Sequence, residues 1–306
     1  MRARGAGQRG LSLRGLRHVR LSHLHLSRRR AVCRLRREGG GSLTPAASPA
    51  GVVAIAPVAP LLAAPGVRHE QVSQLLLGET ATLMARDGEW RHLRNTLDGY
   101  EGWTHRGYLR ELDAASLDAW SPSGWSEGAE LEAEGARVRL PLRALVDLER
   151  GAIALPDGRR ARVVSGRVAS RAAAVADARA VRPDVWAADH FLGAPYQWGG
   201  VTPWGADCSG LVQTTFAARG AAVPRDAHDQ AMHGVPVPLD QAEPGDLLFF
   251  RGESSDRVTH VGFLSEDDTI VHCTISRSGA VRERWASGAP ARTRLQPRLV
   301  AARRYE

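Results

Sequence analysis

The chain has 306 residues, a length that accommodates two or three domains, and its 43% apolar and 24% charged content is ordinary for a soluble globular protein. Three cysteines rule out a disulfide framework, and all 41 basic residues are arginine, which points to a GC-rich coding sequence more than to a mechanism. The formal charge of +8 is uneven: the first forty residues hold twelve arginines and one acid, Glu38, so any attraction to nucleic acid or anionic membrane is confined to that stretch.

Residues 1–48 read as a disordered, Arg-rich extension with a cluster at Arg28-Arg29-Arg30. Three readings compete: a basic arm for nucleic acid or acidic surfaces, a targeting segment, or sequence upstream of a translation start near residue 50. The third, or a plain disordered tail, is favoured. No uninterrupted apolar stretch marks a signal peptide in the first thirty residues, and the prolines between Gly51 and Pro65 argue against that stretch as one. The compartment, envelope or cytoplasm, stays open. No segment has the eighteen or so consecutive apolar residues of a membrane span.

Residues 49–112 carry short strands and turns. Asp87-Gly88 and Asp98-Gly99 sit between alternating runs, which is a hairpin signal. Trp90, Tyr100 and Trp103 at this rhythm predict a small β-barrel, with the tryptophans in its core. Residues 113–170 read as a second, less regular barrel: Arg137–Leu140 alternates, Leu142 to Leu148 is apolar, and Leu155–Val164 reads as a turn plus a strand. An Ala- and Arg-rich segment, 171–182, is a predicted helical linker. From residue 183 the pattern changes to helices. Pro183 opens one that stops at Gly193, Cys208 opens a second that stops at Gly220, and Asp226 offers an N-cap for a third. After Pro244-Gly245-Asp246 the chain reads as strands to residue 304. Helices first and an antiparallel sheet second is an α+β pattern.

Cys208 opens an apolar-periodic run, Leu211, Val212, Thr215 and Phe216. A helix N-terminus favours negative charge, so the position predicts a thiolate and a nucleophile. A lone cysteine is more often a buried packing residue, and two downstream histidines weigh against that here. His260 and His272 lie in two short β-branched runs separated by the polar turn Ser265-Glu266-Asp267-Asp268, so they fall on paired strands. His260 is then the base for Cys208, and His272 fixes its tautomer. A zinc site made of Cys208, His260, His272 and Cys273 lacks the close ligand pairs such sites use. No metal or cofactor is expected, and Cys273, one residue past His272, should face the other side of the sheet.

These residues carry a resemblance. Tyr196-Gln197-Trp198-Gly199-Gly200, Asp207-Cys208-Ser209-Gly210, Pro244-Gly245-Asp246, Thr259-His260-Val261-Gly262 and His272 resemble, in order, the NlpC family of papain-like cell-wall cysteine peptidases, over residues 183–306. The region ahead resembles bacterial SH3-like domains, an arrangement similar to YkfC-type γ-D-glutamyl-L-diamino acid endopeptidases. The resemblance implies a papain-like catalytic domain behind two SH3-like barrels, acting as a monomer on murein stem peptides and not on nucleic acid. It also implies that Cys208, His260 and His272 are catalytic and that the Tyr196 hydroxyl assists the Cys208 N–H at the oxyanion. Asp207, Ser209 and Asp226 would line the pocket for the substrate's amine and D-Glu carboxylate, and Glu70 and Tyr108 would close it from the first barrel. Asp226 reads equally as a helix cap, and Ala227 stands where relatives often have Ser. Two other functions compete: a wall-binding protein with a vestigial catalytic domain, and an acyltransferase using the same Cys/His pair.

Overall fold

A computed structural model describes residues 51–305. The expectations for residues 1–48 lie outside this range. The first described region is a seven-stranded antiparallel sheet running from Gly51–Ala54 to Leu109–Leu112. Its hairpin between Thr80–Asp87 and Trp90–Asn95 turns at Gly88, whose φ of 52° suits glycine, as the Asp-Gly signal requires. The sheet surrounds Val52, Ala54, Ala59, Leu61, Leu75, Ala81, Leu83, Leu93 and Leu109. Trp90 and Trp103 are not in this core. Along Trp90–Asn95 the residues facing inward are Arg91, Leu93 and Asn95, so Trp90 has the opposite parity. Both tryptophans lie half-buried against histidines, Trp90 on His105 and Trp103 on His92, with centroids 5.4 and 5.0 Å apart.

A second seven-stranded antiparallel sheet runs from Gly124–Glu127 to Val168–Ser170 around its own apolar cluster. The two sheets meet tightly. The Leu145 N–H donates to the Leu77 carbonyl at 2.7 Å, and a Cβ on Gly78 would fall 2.1 Å from the Leu145 oxygen. Beside this contact the buried Arg143 guanidinium lies 3.1 Å from Glu79. The helix Arg171–Arg179 follows, capped by Ser170.

The remainder packs helices Pro183–Phe191, Cys208–Ala218 and Ala227–Met232 onto a six-stranded antiparallel sheet. The strand order is Val235–Val237, Leu299–Arg304, Leu247–Arg251, Val258–Ser265, Thr269–Thr274, Gly279–Arg284. A helix, Pro290–Leu295, interrupts the run of strands expected to the C-terminal end. Alternation divides the sheet into two faces. Phe249, Val261, Phe263, Val271 and Cys273 join the cluster that includes Leu211, Val212 and Phe216 of the Cys208–Ala218 helix. Leu248, Phe250 and Ile270 join Trp285 and Leu295 on the other face. Phe191, Phe216, Phe249 and Phe263 are wholly buried. Each stabilises the fold by about 1.5–3 kcal/mol relative to exposure.

The first sheet docks directly on this helix-and-sheet part. Gln71 Nε2 donates to the Trp198 carbonyl at 2.9 Å, and Gln74 Oε1 accepts from the Val201 N–H at 3.0 Å. Ser73 Oγ accepts from Arg225 at 3.2 Å, and Asp98 accepts from Gln213 at 2.7 Å.

Candidate active site

Asp207 starts the helix that carries Cys208. Its Oδ1 accepts from the Gly210 N–H at 2.7 Å, an N-cap bond that satisfies one of the helix's free donors. Its Oδ2 accepts from the Gly199 N–H at 2.8 Å, and Arg225 clamps both oxygens at 3.1 and 2.7 Å. This ion pair is buried, a setting in which loss of one partner is strongly destabilising. Ser209 Oγ accepts from Arg225 at 2.9 Å. The Asp207 carboxylate and the Ser209 hydroxyl are thus hydrogen-bonded to protein donors at the helix start. The glycines of the motif allow this close packing: a Cβ on Gly210 would meet the Gly200 carbonyl oxygen at 2.0 Å.

The ladder between Val258–Ser265 and Thr269–Thr274 runs from Ser265↔Thr269 to Phe263↔Val271 and ends there. Past that point the edge of the Val258–Ser265 strand is open, and the Cys208 sulfur lies against it. Sγ is 4.0 Å from the Thr259 carbonyl oxygen, and the Val261 N–H points at it. The sulfur thus sits against the backbone on either side of His260. His260 Nε2 and His272 Nδ1 are 2.8 Å apart. Gly262 makes room for this pair, because a Cβ there would fall 2.8 Å from the His272 Cβ. The second nitrogen of His272, Nε2, is 2.9 Å from the carboxylate of Glu283. Cys273 faces the opposite side, where its thiol donates to the Ala206 carbonyl at 3.0 Å. Among the described residues no group of three or more His, Cys, Asp or Glu side chains is arranged to hold a metal ion.

The charge state differs from the expected thiolate. Burial pushes the Cys208 thiol up to about 12, and the adjacent Asp207 carboxylate pushes the same way. The Val261 N–H and Arg225 oppose this without reversing it. Burial, His272, and the guanidiniums of Arg298 and Arg294 hold His260 well below its ordinary value. Both groups are neutral in the substrate-free site. Burial outweighs the helix N-terminus because a charge loses its hydration in full, whereas the dipole returns only a part of it.

The two sequence models that match are the NlpC/P60 family, over residues 193–299, and the bacterial dipeptidyl-peptidase SH3 domain, over residues 61–106. The γ-D-glutamyl-L-lysine dipeptidyl-peptidase of Bacillus subtilis is 31% identical over 213 residues, which cover 65% of this chain and 71% of that protein. The chain belongs to the NlpC/P60 family. It is a hydrolase of this cell-wall peptidase family, with an SH3-like domain ahead of an α+β, papain-like catalytic domain. The probable endopeptidase NlpC of Escherichia coli is 37% identical over 86 residues, 28% of this chain and 56% of that one. The probable endopeptidase Rv2190c of Mycobacterium tuberculosis is 43% identical over 81 residues, 26% of this chain, and this chain spans only 20% of it. An NlpC/P60 family protein from Bacillus cereus has the same fold, with a TM-score of 0.69 at 20% identity over 83% of this chain and 99% of that one.

The remaining candidate residues of this NlpC/P60 chain divide between the catalytic domain and the first barrel. Tyr196 is half-buried, and its hydroxyl is pushed upward by burial and then by Cys208. Asp226 occupies the N-cap position of Ala227–Met232 but makes no side-chain cap bond. Its carboxylate instead accepts from the Tyr100 hydroxyl of the first barrel at 3.2 Å. Glu70 is exposed and precedes Gln71, whose side chain touches Trp198. Tyr108 is 37% exposed on a short turn, and its carbonyl accepts from the Ile55 N–H. Sequence reasoning missed Arg225, Tyr100 and Glu283. Tyr100 sits beside the Asp98-Gly99 hairpin signal, where a turn could have been expected to project toward a neighbour. Arg225, next to Asp226, had no local signal. No helix among the described residues is long and apolar enough to cross a membrane.

Proposed function

We propose that the protein hydrolyses the bond between γ-D-Glu and the diamino acid of peptidoglycan stem peptides that begin with a free L-Ala. The observation that carries this reading is the Tyr100–Asp226 contact, in which the first barrel meets the catalytic part beside the nucleophile's helix. A cleft walled at that end takes a short amino-terminal segment and rejects a long one. The Asp226 carboxylate has a barrel hydroxyl as its side-chain partner and can accept a substrate ammonium. The 31% identity to a γ-D-glutamyl-L-lysine dipeptidyl-peptidase supports the same bond.

In this reading Cys208 Sγ attacks the carbonyl carbon while its proton passes to His260. The C=O π pair moves onto oxygen, which the Cys208 N–H and the Tyr196 hydroxyl stabilise. The C–N bond then breaks, and His260 returns the proton to the leaving amine. Water attacks the thioester, again giving a proton to His260, and the sulfur leaves as thiol.

The test is hydrolysis of L-Ala-γ-D-Glu-L-Lys and its diaminopimelate counterpart, each beside its N-acetylated form. The free peptides should be cut at the γ-D-Glu bond, the acetylated ones roughly a hundredfold more slowly, and Cys208→Ala should cut neither. Equal rates on free and acetylated peptides would remove the amine requirement. A wild type no faster than Cys208→Ala would remove the hydrolase assignment of this site and return attention to wall binding or acyl transfer.

A further inference from the structure

We propose that Glu283 is a positioning residue for hydrolysis, holding His272 in the Nε2–H tautomer so that His260 presents a free Nδ1 lone pair to the thiol. The proposal rests on the reading of Cys208, His260 and His272 as the reacting set, and deepens it. Three neighbouring strands build the relay. His272 pairs with Val281, and Glu283 lies two residues further on the same face. His260 stands in the same diagonal relation to the Gly262 that abuts His272. The result is an unbroken line across the sheet, His260 to His272 at 2.8 Å and His272 to Glu283 at 2.9 Å.

The proton positions are set by the end of that line. Glu283 is held at about 2, chiefly by its hydrogen bond to His272 and also by the Arg294 guanidinium, so it is a carboxylate and can only accept. His272 Nε2 must then donate. In neutral His272 this leaves Nδ1 as the acceptor, and the partner donor is His260 Nε2–H. His260 Nδ1 is the nitrogen left without a proton. With the tautomer of His272 reversed, His260 Nε2 would have to accept, its proton would sit on Nδ1, and it could not act as base. When His260 gains the thiol proton, the carboxylate also stabilises the positive charge spread over the two imidazoles. The charged groups facing the relay are Arg294, 3.0 Å from Glu283, Arg277 at 3.6 Å, and Arg298, which acts on His260; the titratable Cys208 thiol lies against the backbone beside His260.

The test compares Glu283→Gln, Glu283→Leu and Arg294→Gln with the wild type. Two readouts are used: kcat and KM on the free peptide, and the rate of Cys208 alkylation by iodoacetamide against pH, located by peptide mass. Glu283→Gln keeps an accepting oxygen but loses the charge, and kcat should fall roughly tenfold. Glu283→Leu loses both, and kcat should fall roughly a hundredfold, short of the ~10⁴ for a carboxylate directly on the base. KM should stay within about twofold. Without the carboxylate the imidazolium pair is less stable, so the acid limb of both profiles should move to lower pH. Removing the Arg294 cation should move it to higher pH. A purely structural loss cannot produce opposite shifts. A Glu283→Leu kcat within about twofold of wild type, or acid limbs unmoved in Glu283→Gln and Arg294→Gln, would overturn the proposal. Should Glu283→Leu not fold, the two milder variants still decide. If the wild type leaves the peptide uncut, the substrate assignment fails while the alkylation profiles continue to test the relay.

Discussion

His260 and Cys208 set the site's pH behaviour as a neutral pair, and the sign of that dependence can be stated. His260 is held below its ordinary value, so it stays a base at pH where a free histidine, with a value of about 6.5, would be protonated. The ratio kcat/KM should remain flat through the ordinary histidine range and fall only to the acid side of it. A fall centred at or above about 6.5 would contradict this. Stability has the same sign: below the ordinary histidine value the unfolded chain binds the proton that the folded site refuses, so this residue's contribution declines as pH drops. The helix start at Cys208 and the pairing of His260 with His272 were legible, because a capped helix start and two short β-branched runs are local signals. Glu283 was not, since its role depends on a diagonal step across a strand pair, and register is invisible in a single sequence. The charge state was also misread, because burial is a property of the folded neighbourhood and not of the helix that carries the thiol.

The Cys208–Ala218 helix is held from both ends of its length. Its N-terminus is tied by Asp207 and Arg225, and its body is packed by Phe216 against Phe263 and Tyr305, with centroids 5.9 and 5.2 Å away. Phe216→Ala should cost about 3–5 kcal/mol, read as a lower urea midpoint, because it opens a cavity in a wholly buried position. A loss under about 1 kcal/mol would mean the cluster collapses to fill the space. The helices, the polar hairpin turn and the two sheets were legible from capping residues and alternation. Asp267 and Asp268 adopt the positive φ values of 56° and 49° that such a turn asks for. The inward tryptophans were misread because alternation fixes parity but not which parity is the core. Arg91, Leu93 and Asn95 won the inner face, and Trp90 took the outer.

At the level of the whole molecule, the first barrel is docked on the catalytic domain and not merely tethered to it through the chain. Gln71, Ser73, Gln74, Asp98 and Tyr100 each hydrogen-bond to the catalytic part. Tyr100→Phe removes the hydroxyl from Asp226 alone. KM for the free-amine peptide should change about tenfold with kcat nearly constant, the signature of a contact made equally in ground and transition states. An unchanged KM would detach the barrel from amine recognition. The resemblance points to Tyr108 as a barrel-side tyrosine; that Tyr100 meets Asp226 was not legible, because which residue of a barrel meets its neighbour is decided by docking and not by local pattern.

The Glu79–Arg143 pair and the side-chain-free approach at Gly78 weld the two barrels back to back. One barrel cannot tilt without dragging its twin. A side chain at position 78 would have to push the Leu145 backbone aside, so Gly78→Ala should loosen both barrels together and not the first alone.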